Sequence, residues 1–178
     1  MPPAVAVSAV NPTSTARNAL ALTAVCLVAL MFGLEISSVP VILPTLEQQL
    51  GSGFQDAQWL MNAYTLACTS VLMAAGTLAD RFGRRRMLVL CLWLFGLASL
   101  ACGLAEDASL LIAARFVQGV GAGAMMICQF AILSHQFREP AARARAFAVW
   151  GVIAGLGLGF GPMVGALILA VADWRWVF

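Results

Sequence analysis

The sequence has no lysine, one histidine and one tyrosine, and only 10% of its 178 residues are charged. A soluble domain carries roughly 25% charged residues, so a water-exposed globular surface is excluded. With 62% hydrophobic residues and a mean hydropathy of +0.92, the chain reads as an integral membrane protein with several spans. Its basic residues are all arginine, and no basic face long enough to follow a phosphate backbone exists, so no nucleic-acid partner is expected. The five cysteines are odd in number and lack C-x-x-C spacing, which excludes a disulfide framework or a metal cluster; they read as small buried apolar side chains. His135 has no second ligand nearby, and no nucleophile motif is present, so the chain is not read as an enzyme. Gly119 and Gly121 with Ala124 fit a loose G-x-G-x-x-A dinucleotide pattern. That pattern needs a soluble strand before it and here lies inside an apolar run, so no cofactor is implied.

What remains is hydrophobic length and a few placed charges. Apolar runs predict five spans at about 19–44, 57–79, 87–105, 108–134 and 146–171, each close to the ~20 residues a bilayer requires. The first run is too long for a signal peptide and is taken as an uncleaved span; residues 1–18, with three prolines, read as a disordered tail. Short connections make successive spans antiparallel neighbours. Arg17, Arg81, Arg84, Arg85, Arg86, Arg138, Arg143 and Arg145 then fall at one end. Glu47, Asp56, Glu106, Asp107 and Asp173 fall at the other, with Arg175 the basic exception. Because Lys/Arg-rich short loops stay inside, the N-terminus is expected in the cytoplasm and residue 178 at the outer face. Trp59, Trp150, Trp174 and Trp176 are expected at the membrane boundaries, and Trp93, lying deeper, in packing.

Two ionisable residues lie well inside spans. Glu35 is about 12–14 Å from the outer end of the first span, and Arg115 about 8–10 Å from the outer end of the fourth, at ~1.5 Å per residue. A charge at such depth costs roughly 3 kcal/mol on insertion scales and normally faces a cavity. Their depths agree within a few ångström. Gly76, Asp80, Arg81, Gly83, Arg84 and Arg85 form a tight basic turn between the second and third spans. Gly83 permits the turn, and Asp80 is placed to meet basic groups or a helix N-terminus. Gly151, Gly155 and Gly159, and separately Gly157, Gly161 and Gly165, recur every four residues and make smooth faces for helix contact; Pro162 adds a bend.

Several of these patterns together resemble the major facilitator superfamily, in its fourteen-span drug:proton antiporter branch. G-x-x-x-D-R-x-G-R-R at 76–85 is similar to that family's signature loop between spans two and three, taken as a cytoplasmic gate. The stretch 34–44 around Glu35 resembles the first-span motif, with Glu where Asp is usual. Arg115, Gln118 and Gly119 match the fourth-span motif. Gly157, Gly161, Pro162 and Gly165 resemble the fifth-span antiporter motif, with Ala166 replacing its last glycine. Residues 58–67 look like that branch's second span, and 174–178 like its approach to a sixth. The resemblance implies an all-α membrane protein, five helices of a six-helix half-bundle, with 19–178 as the N-terminal half of a transporter whose C-terminal half is missing. It implies a proton-coupled multidrug exporter of the bacterial inner membrane, with the proton as coupling ion and a small lipophilic or cationic substrate. Because spans one and four both line the central cavity in that family, Glu35 and Arg115 at similar depths would pair when Glu35 is ionised, a proton on Glu35 would free Arg115, and Gln118, Asn62 and Tyr64 would line the cavity. A nutrient symporter of the same superfamily, and a transport-inactive fragment or scaffold, remain alternatives at this point.

Overall fold

The computed structural model describes the backbone of residues 12–178 and the side chains from residue 16 onward. Six α-helices follow in order: α1 Pro12–Leu50, α2 Phe54–Ser70, α3 Leu72–Phe82, α4 Arg84–Gly103, α5 Ala108–Gln136 and α6 Pro140–Val171, with a 3-10 turn at Trp174–Val177. No strand occurs among the described residues. The first eleven residues of the expected tail lie outside the description; residues 12–18 belong to α1, which starts ahead of the expected span and also runs beyond it, to Leu50.

Local chemistry sets the helix ends. The Asp107 side chain accepts from Leu110 N at 2.8 Å and caps α5, and Asp56 accepts from Gly53 N at 3.1 Å ahead of α2. Pro140, with no N–H to leave unpaired, opens α6. Gly83 has φ +93°, a region other residues avoid, which lets α3 pass into α4 through one residue. The expected span 57–79 is broken at Val71 into α2 and α3. Here Thr69 donates to Thr65 O at 3.0 Å and Ser70 to Ala67 O at 2.9 Å; such back-bonding by hydroxyls bends a helix.

Four helices, α1, α4, α5 and α6, are each long and apolar enough to cross a membrane. Between helices in lipid there is no hydrophobic driving force, so close van der Waals contact and hydrogen bonds hold the bundle. α5 occupies the middle, packed on α2, α3 and α4, while α1 packs mainly on α6. At the arginine-rich end Gln136 donates to Asn18 at 2.5 Å; at the acidic end the indole of Trp174 donates to Gln49 at 2.9 Å. Trp174 is fully buried, so it is a core residue and not a boundary anchor, because its only polar atom already has a protein partner. Trp93 departs in the opposite sense. It is 68% exposed on the outward face of α4, beside Val89, Leu90, Leu97 and Leu100, a surface suited to lipid.

Candidate functional site: a buried ion pair between α1 and α5

Glu35 on α1 and Arg115 on α5 form an ion pair through Oε1 and Nη1, with 6% and 0% of their side chains exposed. Three elements fix the guanidinium. Gln118, one turn along α5, accepts from Nη1 at 2.8 Å. The Tyr64 ring of α2 lies 4.1 Å from the guanidinium carbon, and the Phe178 ring 5.7 Å from it, both within cation–π range. Glu35 Oε2, Arg115 Nε and Nη2, and the Tyr64 hydroxyl make no hydrogen bond within the described residues. The pair is therefore joined by one edge only, and each partner keeps polar atoms able to take another. A buried pair with spare valences is easily re-partnered, since every atom left unmatched is costly.

Glu35 also opens onto a groove of about 760 Å³ bounded by α1, α4, α6 and the 3-10 turn. Its walls include Met31, Ser38, Phe95, Ser99, Ile168 and Phe178. Gln118, Asn62 and Tyr64, expected as cavity residues, do not line it. Gln118 and Tyr64 are buried against the far side of Arg115's contacts, and Asn62 lies on the exposed face of α2. Met31 lines the groove, whereas Phe32, Met61, Met125 and Met126 do not.

At the arginine-rich end, Asp80 and Arg84 pair at 2.9 Å across the α3–α4 turn, and Arg84 Nη1 reaches Ala131 O of α5 at 2.9 Å. Asp80 thus pairs within its own loop. With 68% of Asp80 and 36% of Arg84 exposed, that contact is worth at most ~1 kcal/mol, weak enough to break and re-form. Arg81 stacks over Phe82 at 5.6 Å, and Arg85 is exposed. A methyl at Gly76 would meet only Ile127, at 3.9 Å.

The glycines of α6 separate into two faces. Gly157 is pressed on Leu30 O, Gly161 on Leu34 O and Gly165 on Ser38 O, where an added Cβ would stand at 2.7, 2.8 and 3.0 Å. These three let α6 lie against the backbone of α1 on either side of Glu35. Gly151, Gly155 and Gly159 meet nothing within 4 Å. Pro162, inside the helix, is exposed. The glycines of α5 are close-approach points that sequence reading did not assign: Gly119 and Gly123 touch the α2 backbone at Tyr64 O and Cys68 O, and Gly121 faces α4 at Cys91 O, 3.2 Å. All five cysteines are free, four of them buried.

The described residues thus form a multi-helix membrane bundle with an acid and a base paired inside it. Residues 25–178 match the family model described as the Major Facilitator Superfamily, and the chain belongs to that family as a multi-pass membrane protein. It is 40% identical over 147 residues to the puromycin resistance protein pur8 of Streptomyces alboniger, covering 83% of this chain and 29% of that protein. It is 38% identical over 159 residues to the multidrug resistance protein Stp of Mycobacterium tuberculosis, covering 89% and 30%. With the drug efflux pump JefA of the same species it shares 35% identity over 164 residues, covering 92% and 32%. A bacterial homolog of the human lysosomal transporter Spinster, solved inward-facing and unoccupied, has the same fold: TM-score 0.68, 18% identity, 90% of this chain and 38% of that one. The chain spans about three-tenths of the length of the curated relatives it matches.

Proposed function

We propose that this chain forms the proton-handling half of a drug exporter of the bacterial plasma membrane, completed by a second set of helices of the kind its longer relatives have room for. The buried Glu35–Arg115 pair carries the reading: it places a protonatable group, its counter-charge and spare hydrogen-bonding atoms inside the bundle. When Glu35 is ionised it holds Arg115. When a proton arrives the attraction ends, and Arg115 is free to re-partner as the two halves rock about the site. A proton moving inward across ~100 mV gains about 2.3 kcal/mol from the potential, comparable with the difference between two arrangements of one buried contact. The arginine-rich end faces the cytoplasm by the charge rule, and the Asp80–Arg84–Ala131 contacts dock the α3–α4 turn on α5 at that end. The names of the relatives support small antimicrobial molecules as cargo. Inverted vesicles containing the full-length exporter should accumulate drug on acidification of their lumen and stop when a protonophore is added. Accumulation indifferent to the proton gradient would reject proton coupling, and uptake in the opposite sense would favour a symporter.

Gln55, Gln58, Asn62, Thr65 and Thr69 recur turn by turn on the exposed side of α2. Thr65 and Thr69 are satisfied by their own helix, but a bare amide such as Asn62 facing hydrocarbon would be costly. This face therefore borders water. With the native cysteines replaced, Asn62→Cys should react with a membrane-impermeant maleimide at least about tenfold faster than Leu97→Cys on the lipid face. Equal rates would return α2 to the lipid.

A further inference from the structure

Ser99 on α4 lies 9% exposed on the groove wall, and its hydroxyl differs from the others in the spans. Ser38, Thr65 and Thr69 donate only to carbonyls of their own helix, and Ser37 to Gly33 O of its own helix with a longer contact to Gly157 O of α6 at 3.3 Å. Ser99 Oγ instead accepts across the helix interface, from Gln118 Nε2 at 2.8 Å. A serine hydroxyl can donate or accept, so it is Arg115, which only donates, that turns Gln118 Oε1 toward itself, and Ser99 anchors the amide in that orientation by accepting from Nε2. With Nε2 committed to Ser99, Oε1 is turned toward Arg115 Nη1 at 2.8 Å, with Cys102 Sγ at 3.8 Å as a weak second donor. In the flipped orientation an NH2 group would face a guanidinium, donor against donor, with all three groups buried.

We propose that Ser99 is a positioning residue for the Arg115–Glu35 pair, acting through Gln118; this rests on the reading that the pair carries the coupled proton. Arg115 Nη1 is shared by two acceptors, Glu35 Oε1 and Gln118 Oε1. Protonation of Glu35 removes the first as a counter-charge. Gln118 Oε1 is then the acceptor that keeps a buried cation in place, and Ser99 keeps that oxygen pointed at it. The Ser99–Gln118 arm is a resting place for the guanidinium in the protonated half of the cycle, so losing it disfavours that half. The charged and titratable groups around Glu35 are Arg115 of α5, Tyr64 and Cys68 of α2, Cys102 of α4, and Arg175 across the groove; α6 brings none along its contact with α1.

The test is the pH profile of drug export by the full-length transporter in proteoliposomes. Ser99→Ala should move its midpoint to lower pH by about one unit, the effect of one hydrogen bond to a charged group, and Ser99→Thr, which keeps the oxygen, should restore it. Gln118→Leu should reproduce the shift, and Ser99→Ala added to it should contribute nothing more. The folded amount and melting temperature of Ser99→Ala and Ser99→Thr should be alike, so that a general packing defect does not explain the difference. A parental midpoint in Ser99→Ala, failure of Thr to restore it, or additive shifts with Gln118→Leu would each overturn the inference. Glu35→Gln separates the levels. If it exports with the parental pH profile, the reading of the pair fails. If it loses the profile while Ser99→Ala keeps it, only the role of Ser99 fails.

Discussion

Removing Glu35 and Arg115 together, as Glu35→Leu with Arg115→Met, is expected to leave a folded bundle that no longer exports, whereas either change alone is expected to lose much of the folded protein. Both side chains are buried, and Arg115 is wholly so. Truncating one partner of such a pair strands the other charge and costs ~3–5 kcal/mol, whereas replacing both with apolar side chains of similar volume is neutral or even favourable. Stability and transport should therefore part company in the double variant. Its melting temperature in detergent should lie at or above the parent's, and its proton-driven export should fall by more than about tenfold, a barrier of at least ~1.4 kcal/mol. Parental export by the double variant would show that the pair is structural. Failure of the double variant to recover the stability lost by the single ones would show that Gln118 and Tyr64, and not Glu35, hold the Arg115 charge.

The second large effect is expected at α5. Gly123→Val and Gly119→Val should abolish recovery of folded protein, because each new Cβ meets the α2 backbone at Cys68 O or Tyr64 O, with Ala67 Cβ a further 3.0 Å neighbour of the latter site. Backbone does not rotate aside as a side chain can, so the helices must separate, and overpacking of this kind costs ~1–3 kcal/mol or more. At Gly119 the displaced backbone is that of Tyr64, whose ring lies beside Arg115, so any surviving protein should also export poorly. Gly155→Ala and Gly159→Ala on the open face of α6 should leave the melting temperature of this bundle within about 2 °C of the parent, as surface changes do. The comparison separates glycine needed for contact from glycine that merely recurs. A stable Gly123→Val would mean that α2 and α5 do not approach as closely as the structure places them.

These contrasts also show what a linear sequence discloses in a membrane. Height along the bilayer normal is legible, because each residue advances a helix by ~1.5 Å; it put residues 35 and 115 at similar depths, and the resemblance of spans one and four to cavity-lining helices supplied their meeting. Rotation about each helix axis is harder to read where apolar residues surround the helix. Trp93 and Trp174 exchanged roles for that reason, and the two glycine sets of α6, read alike from identical spacing, parted, since only Gly157, Gly161 and Gly165 face α1. Ser99 was silent because a hydroxyl within a membrane helix usually turns back on its own carbonyls, as Ser37 and Thr65 do here. The sole signal that could have found it is its place 19 residues before Gln118 on the neighbouring antiparallel helix, which requires the register of the turn between them. The break at Val71 likewise depended on Thr69 and Ser70 choosing their own carbonyls.

The pairing of α1 with α6, rather than with the helix that follows it, sets an order on biosynthesis. Glu35 leaves the ribosome 80 residues ahead of Arg115, an interval of roughly 4–16 s at ~5–20 residues per second. The helix that will bind Glu35's flanks through Gly157, Gly161 and Gly165 emerges later still. Throughout that wait the first helix stands in the insertion machinery or the bilayer with a carboxyl group and no cation. Newborn chains are thus most exposed to quality-control proteases before the fifth and sixth helical segments arrive, and a translational pause placed between residues 50 and 108 would prolong that vulnerable stage.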